Sequence, residues 1–272
     1  MKKLTIDDQK RISLEILIYI DRICRLNGIK YSLAFGTLLG AIRHDGFIPW
    51  DDDIDICVPR NQYYELVTLI NKDGTYRFID YSTDPNYYFT FGRVSDNKTI
   101  LEFDGIPEIR NMGVFVDVFP IDAAPLPNEA EKWFNSFNSL KKKVYVLTPT
   151  SVTYTKNDFT TLSKRVKLAL LRYYYGKNKF KEYMDMLCKH VIQYNSMQNH
   201  DDYLFISYSA YGLKTIFKKS VYLDLIDHSF EGHLFQIPRD YDLYLKQIYN
   251  NYMEYPPVEK RKTLHHFTAY YL

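Results

Sequence analysis

Asp51-Asp52-Asp53-Ile54-Asp55-Ile56-Cys57-Val58-Pro59 sets four acids within five residues against an alternation of Ile54, Ile56 and Val58. Successive side chains of a strand point to opposite faces. The aliphatics then face a core, and Asp53 and Asp55 lie side by side on the other face. A plain solvated acidic turn has no reason to carry that alternation. Two carboxylates so close repel each other unless a cation lies between them. An oxygen-only donor set suits Mg²⁺ or Mn²⁺ rather than zinc. Pro59 ends the strand, and a helix is predicted over Asn61–Ile70.

Upstream, Gly36-Thr37 falls where a predicted strand, Tyr31–Phe35, meets a predicted helix, Gly36–His44. A glycine there lets phosphate oxygens approach the backbone, and a helix N-terminus with a hydroxyl offers anion-binding donors. Alone, Gly-Thr is an ordinary turn and helix cap. Followed by Asp-x-Asp on the next strand, it becomes a phosphate-plus-metal constellation. Arg43 and Arg60 flank the segment, either to neutralise phosphate or as surface arginines. Downstream, Asp117 interrupts Val114-Phe115-Val116-Asp117-Val118-Phe119, a strand otherwise apolar on both faces. An ionised carboxylate there requires a cation or an arginine partner. Asp122, after Pro120, is the second choice for this third acid. The sequence has no phosphate-binding Gly-x-x-x-x-Gly-Lys-Ser/Thr loop, Gly-x-Gly-x-x-Gly, His-Glu-x-x-His or Gly-x-Ser-x-Gly.

The flanking chain fits an α+β protein. Thr5 with Asp8 forms a variant capping box, and Ile12, Ile16, Tyr19, Ile23 and Leu26 then repeat at helical steps up to Gly28. Strands are predicted at Tyr76–Tyr81, Tyr87–Val94 and Thr99–Phe103. Helices are predicted over Ala130–Leu147 and, with interruptions, Leu162–Met197. A strand at Phe230–Ile237 and a helix at Tyr241–Tyr252 follow. This order predicts a catalytic core over residues 1–125. A mainly helical region over 126–272 carries a return segment, about 230–265, that completes the site.

Composition narrows the function classes. In 272 residues, 46% are hydrophobic and 17% aromatic, which excludes a disordered chain. Thirty-five basic residues against 33 acidic ones give no global case for nucleic acid. Cys24, Cys57 and Cys188 are odd in number and far apart, and form neither a disulfide framework nor a zinc spacing. No leader peptide or spanning segment is evident, so a cytoplasmic protein is expected. Between Thr161 and Lys181 lie seven basic residues and no acid, interleaved with Leu, Val and Tyr. That segment is either a helix in peripheral contact with the inner face of an anionic membrane or a solvated basic face.

The run Phe35-Gly36-Thr37-Leu38-Leu39-Gly40-Ala41-Ile42-Arg43-His44-Asp45-Gly46-Phe47-Ile48-Pro49-Trp50-Asp51-Asp52-Asp53-Ile54-Asp55-Ile56 resembles the signature of the LicD family. These are bacterial phosphocholine transferases, similar to fukutin-type proteins and more distantly to the nucleotidyltransferase superfamily. Weaker likeness extends through Arg93–Thr99, Gly113–Asp122 and Phe230–Arg261, while residues 128–200 carry no recognised motif. The resemblance implies a nucleotidyltransferase-like mixed β-sheet core flanked by helices. It implies Asp53, Asp55 and Asp117 as catalytic and metal-binding acids. Substrate contacts are then expected from Gly36, Thr37, Arg43, Trp50, Asp52, Arg60 and Arg93. Thr37 replaces the superfamily's usual serine but keeps the hydroxyl.

The implied reaction is Mg²⁺-dependent transfer of phosphocholine from CDP-choline to a sugar hydroxyl of a cell-surface glycan precursor, with CMP released. That glycan is a teichoic acid or lipopolysaccharide, lipid-linked where it is built on a carrier. A quaternary ammonium needs an aromatic cage, for which Trp50, Tyr87, Tyr88 and Phe89 are the candidates. Two other functions are alternatives, the first using the same carboxylates and the second disfavoured by intact Asp53, Asp55 and Asp117. One is a nucleotidyltransferase that releases pyrophosphate, and the other a catalytically silent choline- or glycan-binding protein.

Overall fold

The computed structural model describes residues 1–150, 152, 159–197, 202–207, 210–261 and 266–272, with 159 and 160 described for their backbone alone. Residues 262–265 of the expected return segment lie outside the described residues. The chain opens with helix α1 (Ile6–Asn27), whose Thr5 and Asp8 cap each other reciprocally and whose end is set by Gly28 at φ 66°. Ile16, Leu17 and Ile20 are fully buried, whereas Leu26, on the predicted apolar repeat, is 76% exposed. Next come β1 (Ser32–Leu33), α2 (Phe35–His44), β2 (Asp55–Pro59) and α3 (Arg60–Asp73). Strands β3 (Arg77–Ile79), β4 (Gly92–Ser95), β5 (Thr99–Phe103) and β6 (Phe115–Ala123) follow.

The second half contains α4 (Pro127–Leu147), α5 (Phe159–Tyr175), α6 (Phe180–Ile192), β7 (Tyr203–Ile206), β8 (Phe217–Lys218) and α7 (Lys219–Leu223). It ends with β9 (Leu225–Phe230), β10 (His233–Pro238), α8 (Tyr241–Tyr249) and β11 (Phe267–Tyr271). The main sheet has the order β1-β2-β6-β4-β3, with β7 beside β6 and β8 beside β7. Strand β2 is parallel to β6, while β4 and β7 are antiparallel to it on its other side. This is a mixed sheet with flanking helices, the α+β class expected. Because β7 and β8 belong to it, the sheet crosses the boundary expected at residue 125.

Three expected strands differ in form. Tyr87–Val94 reduces to Gly92–Ser95, because Tyr87, Tyr88 and Phe89 pack their rings on one another instead of pairing backbones. The single strand expected at Phe230–Ile237 is half of the β9–β10 hairpin, turned by Glu231 and Gly232 at φ 50° and 75°. The regular pairing of β2 begins at Asp55, so Asp53 precedes the strand. Ile54 is nonetheless fully buried, and the alternation continues upstream of the pairing.

Candidate active site

Strand register brings the site together. Asp55 of β2 lies opposite Asp117 of β6, and Arg93 of β4 lies opposite Asp117 from the other side. Directly opposed residues share a face, so Asp55, Asp117 and Arg93 form one row across three neighbouring strands. Arg93 Nε donates to Asp117 Oδ1 at 2.7 Å. Its guanidinium carbon lies 4.0 Å from the ring centre of Phe115 and 4.8 Å from that of Phe89. Burial alone would lower the proton affinity of Arg93, but Asp117 and Tyr87 outweigh it and hold the group above its ordinary value. Arg93 is therefore a fixed cation that anchors one oxygen of Asp117.

Helix α2 closes the other side. The Asp55 backbone N–H donates to Thr37 Oγ1 at 2.8 Å, so the threonine hydroxyl fixes the start of β2. Gly36 faces a different neighbour: a Cβ there would stand 3.1 Å from Asp51 Oδ2, a tight contact that the carboxylate would have to yield to. Phe35, at φ 45°, begins the helix in the left-handed region that disfavours side chains. It is held there by a stacked contact with Tyr211 at 4.7 Å and an edge contact with Phe119 at 5.3 Å. A Cβ on Gly40 would fall 2.4 Å from the Gly46 carbonyl oxygen, so α2 lies directly against the loop that leads to the acids.

The expected arginines divide. Arg43 donates to the carbonyls of Tyr252 and Glu254 at 2.7 and 3.2 Å and covers the Tyr255 ring at 4.9 Å. Arg261 lies over Trp50 and Tyr255 at 5.4 and 5.3 Å. Residues 252–261 of the return segment are thus folded onto the motif loop. Arg60, by contrast, is locked in a two-pronged pair with Asp122 at 2.8 and 2.6 Å, to which Asn195 adds a third donor. Asp122 is five residues beyond Asp117, about 16 Å along the strand at ~3.3 Å per residue. Arg60 is therefore held in a structural ion pair, and Asp122 is committed away from the acid row.

The aromatic rings expected to cage choline have other contacts. Trp50 faces Arg261, and Phe89 faces Arg93, so each ring already carries a cation of the chain itself. Tyr87 and Tyr88 are buried, the latter donating to the Pro107 carbonyl at 2.9 Å. Tyr211, outside any motif, and Tyr249, within the expected return segment, join the site. The Tyr211 and Tyr249 hydroxyls are 2.8 Å apart. Burial, then the fields of Asp55, Asp53 and Asp51, hold Tyr211 above the ordinary tyrosine range. Tyr249 lies in the return segment that the sequence marks, whereas Tyr211 stands in no pattern that a sequence reading can detect.

Among the described residues no group of three or more His, Cys, Asp or Glu side chains is gathered as a ready metal site. Asp51, Asp52, Asp53, Asp55 and Asp117 offer carboxylate oxygens, the donor type that suits a hard divalent cation. Asp52 is buried, while Asp51, Asp53 and Asp55 are half-buried. Carboxylates on the central strands beside a Gly-Thr helix start are the arrangement expected of a nucleotidyltransferase-type domain.

Comparison with known proteins agrees. Residues 28–154 match the family described as LicD/FKTN/FKRP, nucleotidyltransferase domain. The whole chain is 31% identical over 279 residues to the whole of the lipopolysaccharide cholinephosphotransferase LicD of Haemophilus influenzae. An uncharacterized protein of Rickettsia prowazekii is 46% identical over 71 residues, covering 26% of this chain and 27% of its own. The chain belongs to the LicD family. Among the described residues no helix is long and apolar enough to cross a membrane.

Proposed function

We propose that this LicD-family transferase moves phosphocholine from CDP-choline to a sugar hydroxyl of a cell-surface glycan, releasing CMP. The observation that carries the reading is the Asp55–Asp117–Arg93 row beside Gly36-Thr37. Full-length similarity to a lipopolysaccharide cholinephosphotransferase supports the choline and a lipopolysaccharide acceptor, with teichoic acid the other acceptor to be tested.

Asp53, Asp55 and Asp117 would hold Mg²⁺, which when bound supplies positive charge to the diphosphate and to the departing CMP. The protein's own part is placement. Arg93 keeps Asp117 in one orientation, and Thr37 fixes the backbone of Asp55. Oriented charge costs no reorganisation when the phosphorus–oxygen bond breaks. Arg43 and Arg261 bring positive charge to the loop bearing Asp51–Asp53, on the side where an anionic donor would dock. The aromatic faces of Trp50 and Phe89 already carry arginines, so the choline methyl groups require other surfaces.

The test is incubation of the full chain with CDP-choline, Mg²⁺ and a lipopolysaccharide or teichoic-acid precursor, with CMP and phosphocholine-labelled glycan both measured. Stoichiometric appearance of the two is expected. Release of pyrophosphate from CTP under the same conditions, with no CMP from CDP-choline, would replace this reading with nucleotidyl transfer. Tight choline or glycan binding without turnover would replace it with a binding protein.

A further inference from the structure

Helix α5 has two faces, and the outward one is apolar. Arg172 donates to the carbonyls of Val146 and Thr148 at 2.8 and 2.7 Å, which ties the helix to the end of α4. Thr161 is buried, and Leu168, Leu171 and Tyr175 are half-buried on that inward side. Leu162, Val166, Leu170 and Tyr173 recur at four- and three-residue steps on the opposite side, where they are 56%, 53%, 64% and 88% exposed. Tyr174 extends the stripe at 79% exposed. Isolated exposed apolar residues are normal, but a contiguous stripe along one helix face marks a contact surface.

The charges decide what the stripe meets. Arg165 and Lys167 are exposed on its two flanks, Lys164 is exposed on the far side of the helix, and Lys177 lies just beyond its C-terminal end. From Thr161 to Lys181 the chain carries seven cations and no acid. A recess of about 510 Å³ beside the helix gathers Arg165, Arg172 and Lys177 with Tyr173. Aliphatic and tyrosine side chains in a row, bordered by long cationic side chains whose heads reach outward, match an acyl–headgroup boundary with anionic lipids.

We propose that α5 seats the protein on an anionic bilayer surface, its Leu162–Tyr173 stripe at the acyl boundary and its bordering cations among the headgroups. This surface lies outside the acid row, and the inference stands independently of the reaction proposed above. Arg172 is part of the fold, so the electrostatic test leaves it in place.

The experiment is sedimentation of the full chain with phosphatidylglycerol vesicles and with phosphatidylcholine vesicles over a range of ionic strength. Binding to the anionic vesicles alone is expected, weakening as salt rises. Arg165→Gln, Lys167→Gln and Lys177→Gln combined should weaken it about 100-fold, since each lysine or arginine near a membrane contributes ~1 kcal/mol. Leu162→Gln, Leu170→Gln and Tyr173→Gln combined should abolish it while circular dichroism shows unchanged helix content. As a check free of those substitutions, Tyr173→Trp should be quenched by brominated lipid. No binding by the wild type at low ionic strength, or equal binding to both vesicle types, overturns the proposal. So does wild-type binding by both triple variants. A concentration-dependent dimer dissolved by the apolar triple variant, without vesicle binding, would assign the face to a second copy.

Discussion

Asp117 sits between two unlike neighbours, Asp55 on one strand and Arg93 on the other. That position separates chemistry from stability in a way mutants can read. Asp55→Asn removes one of two repelling acids, so unfolding free energy without Mg²⁺ should hold or rise while CMP release collapses. Asp117→Asn also ends turnover, yet it strips the charge partner from a buried arginine and should cost about 3 kcal/mol in denaturant unfolding. Near-normal CMP release by either variant would remove these acids from the reaction. His44 offers a pH signature. Arg43 Nε donates to His44 Nε2 at 3.0 Å, and burial, then the Arg43 charge, lower the histidine below its ordinary 6.5. The unfolded chain therefore takes up this proton first as pH falls. His44 costs no stability above about pH 6.5, and folding stability declines as pH drops from there toward the folded value. His44→Gln should flatten that part of the melting-temperature profile, and a profile identical to wild type would show that the histidine is not the sensor.

Helix α3 begins at Arg60 and strand β6 ends near Asp122, so their ion pair ties α3 to the far end of the strand that carries Asp117. Arg60→Met should cost about 3 kcal/mol or more, because it leaves Asp122 buried without its cation. Adding Asp122→Leu should recover much of that loss with CMP release preserved. A folded double variant without turnover would return Arg60 to the substrate. This pair marks where sequence reading stops. The alternation of Ile54, Ile56 and Val58 exposed the acid strand, and the capping box with Gly28 bounded α1, because those signals are local. Which arginine meets which aspartate depends on register between strands far apart in sequence, and Arg43, Arg60 and Arg93 looked alike. Strands β7 and β11 are short and gain their form from long-range partners. The hairpin turn at Glu231-Gly232 lacks the Asn-Gly or Asp-Gly that would have announced it. Tyr211 and Tyr249 reach the acids only because the helical second half folds back.

That return also draws both chain ends to one place. Strand β11 pairs with β5 from Phe267 opposite Phe103 to Tyr271 opposite Thr99. On its other side, Leu4 N–H donates to the Ala269 carbonyl and Tyr271 N–H to the Lys2 carbonyl, each at 2.9 Å. Arg11 of α1 reaches the Tyr271 hydroxyl at 3.0 Å. The closure bears on the site through a relay of rings. Phe267 lies 5.8 Å from Phe115, and Phe115 covers the Arg93 guanidinium that holds Asp117. Phe267 is half-buried, so Phe267→Ala should cost about 2 kcal/mol, below the 3–5 kcal/mol typical of a fully buried phenylalanine. If the relay matters, water gains access beside Arg93, the pair loosens, and CMP release falls several-fold at temperatures where the protein remains folded. Phe267→Leu keeps most of the volume and should restore both properties together. Denaturant unfolding and CMP release measured on the same three proteins decide the point. Recovery of stability without recovery of rate would confine β11 to holding the chain ends.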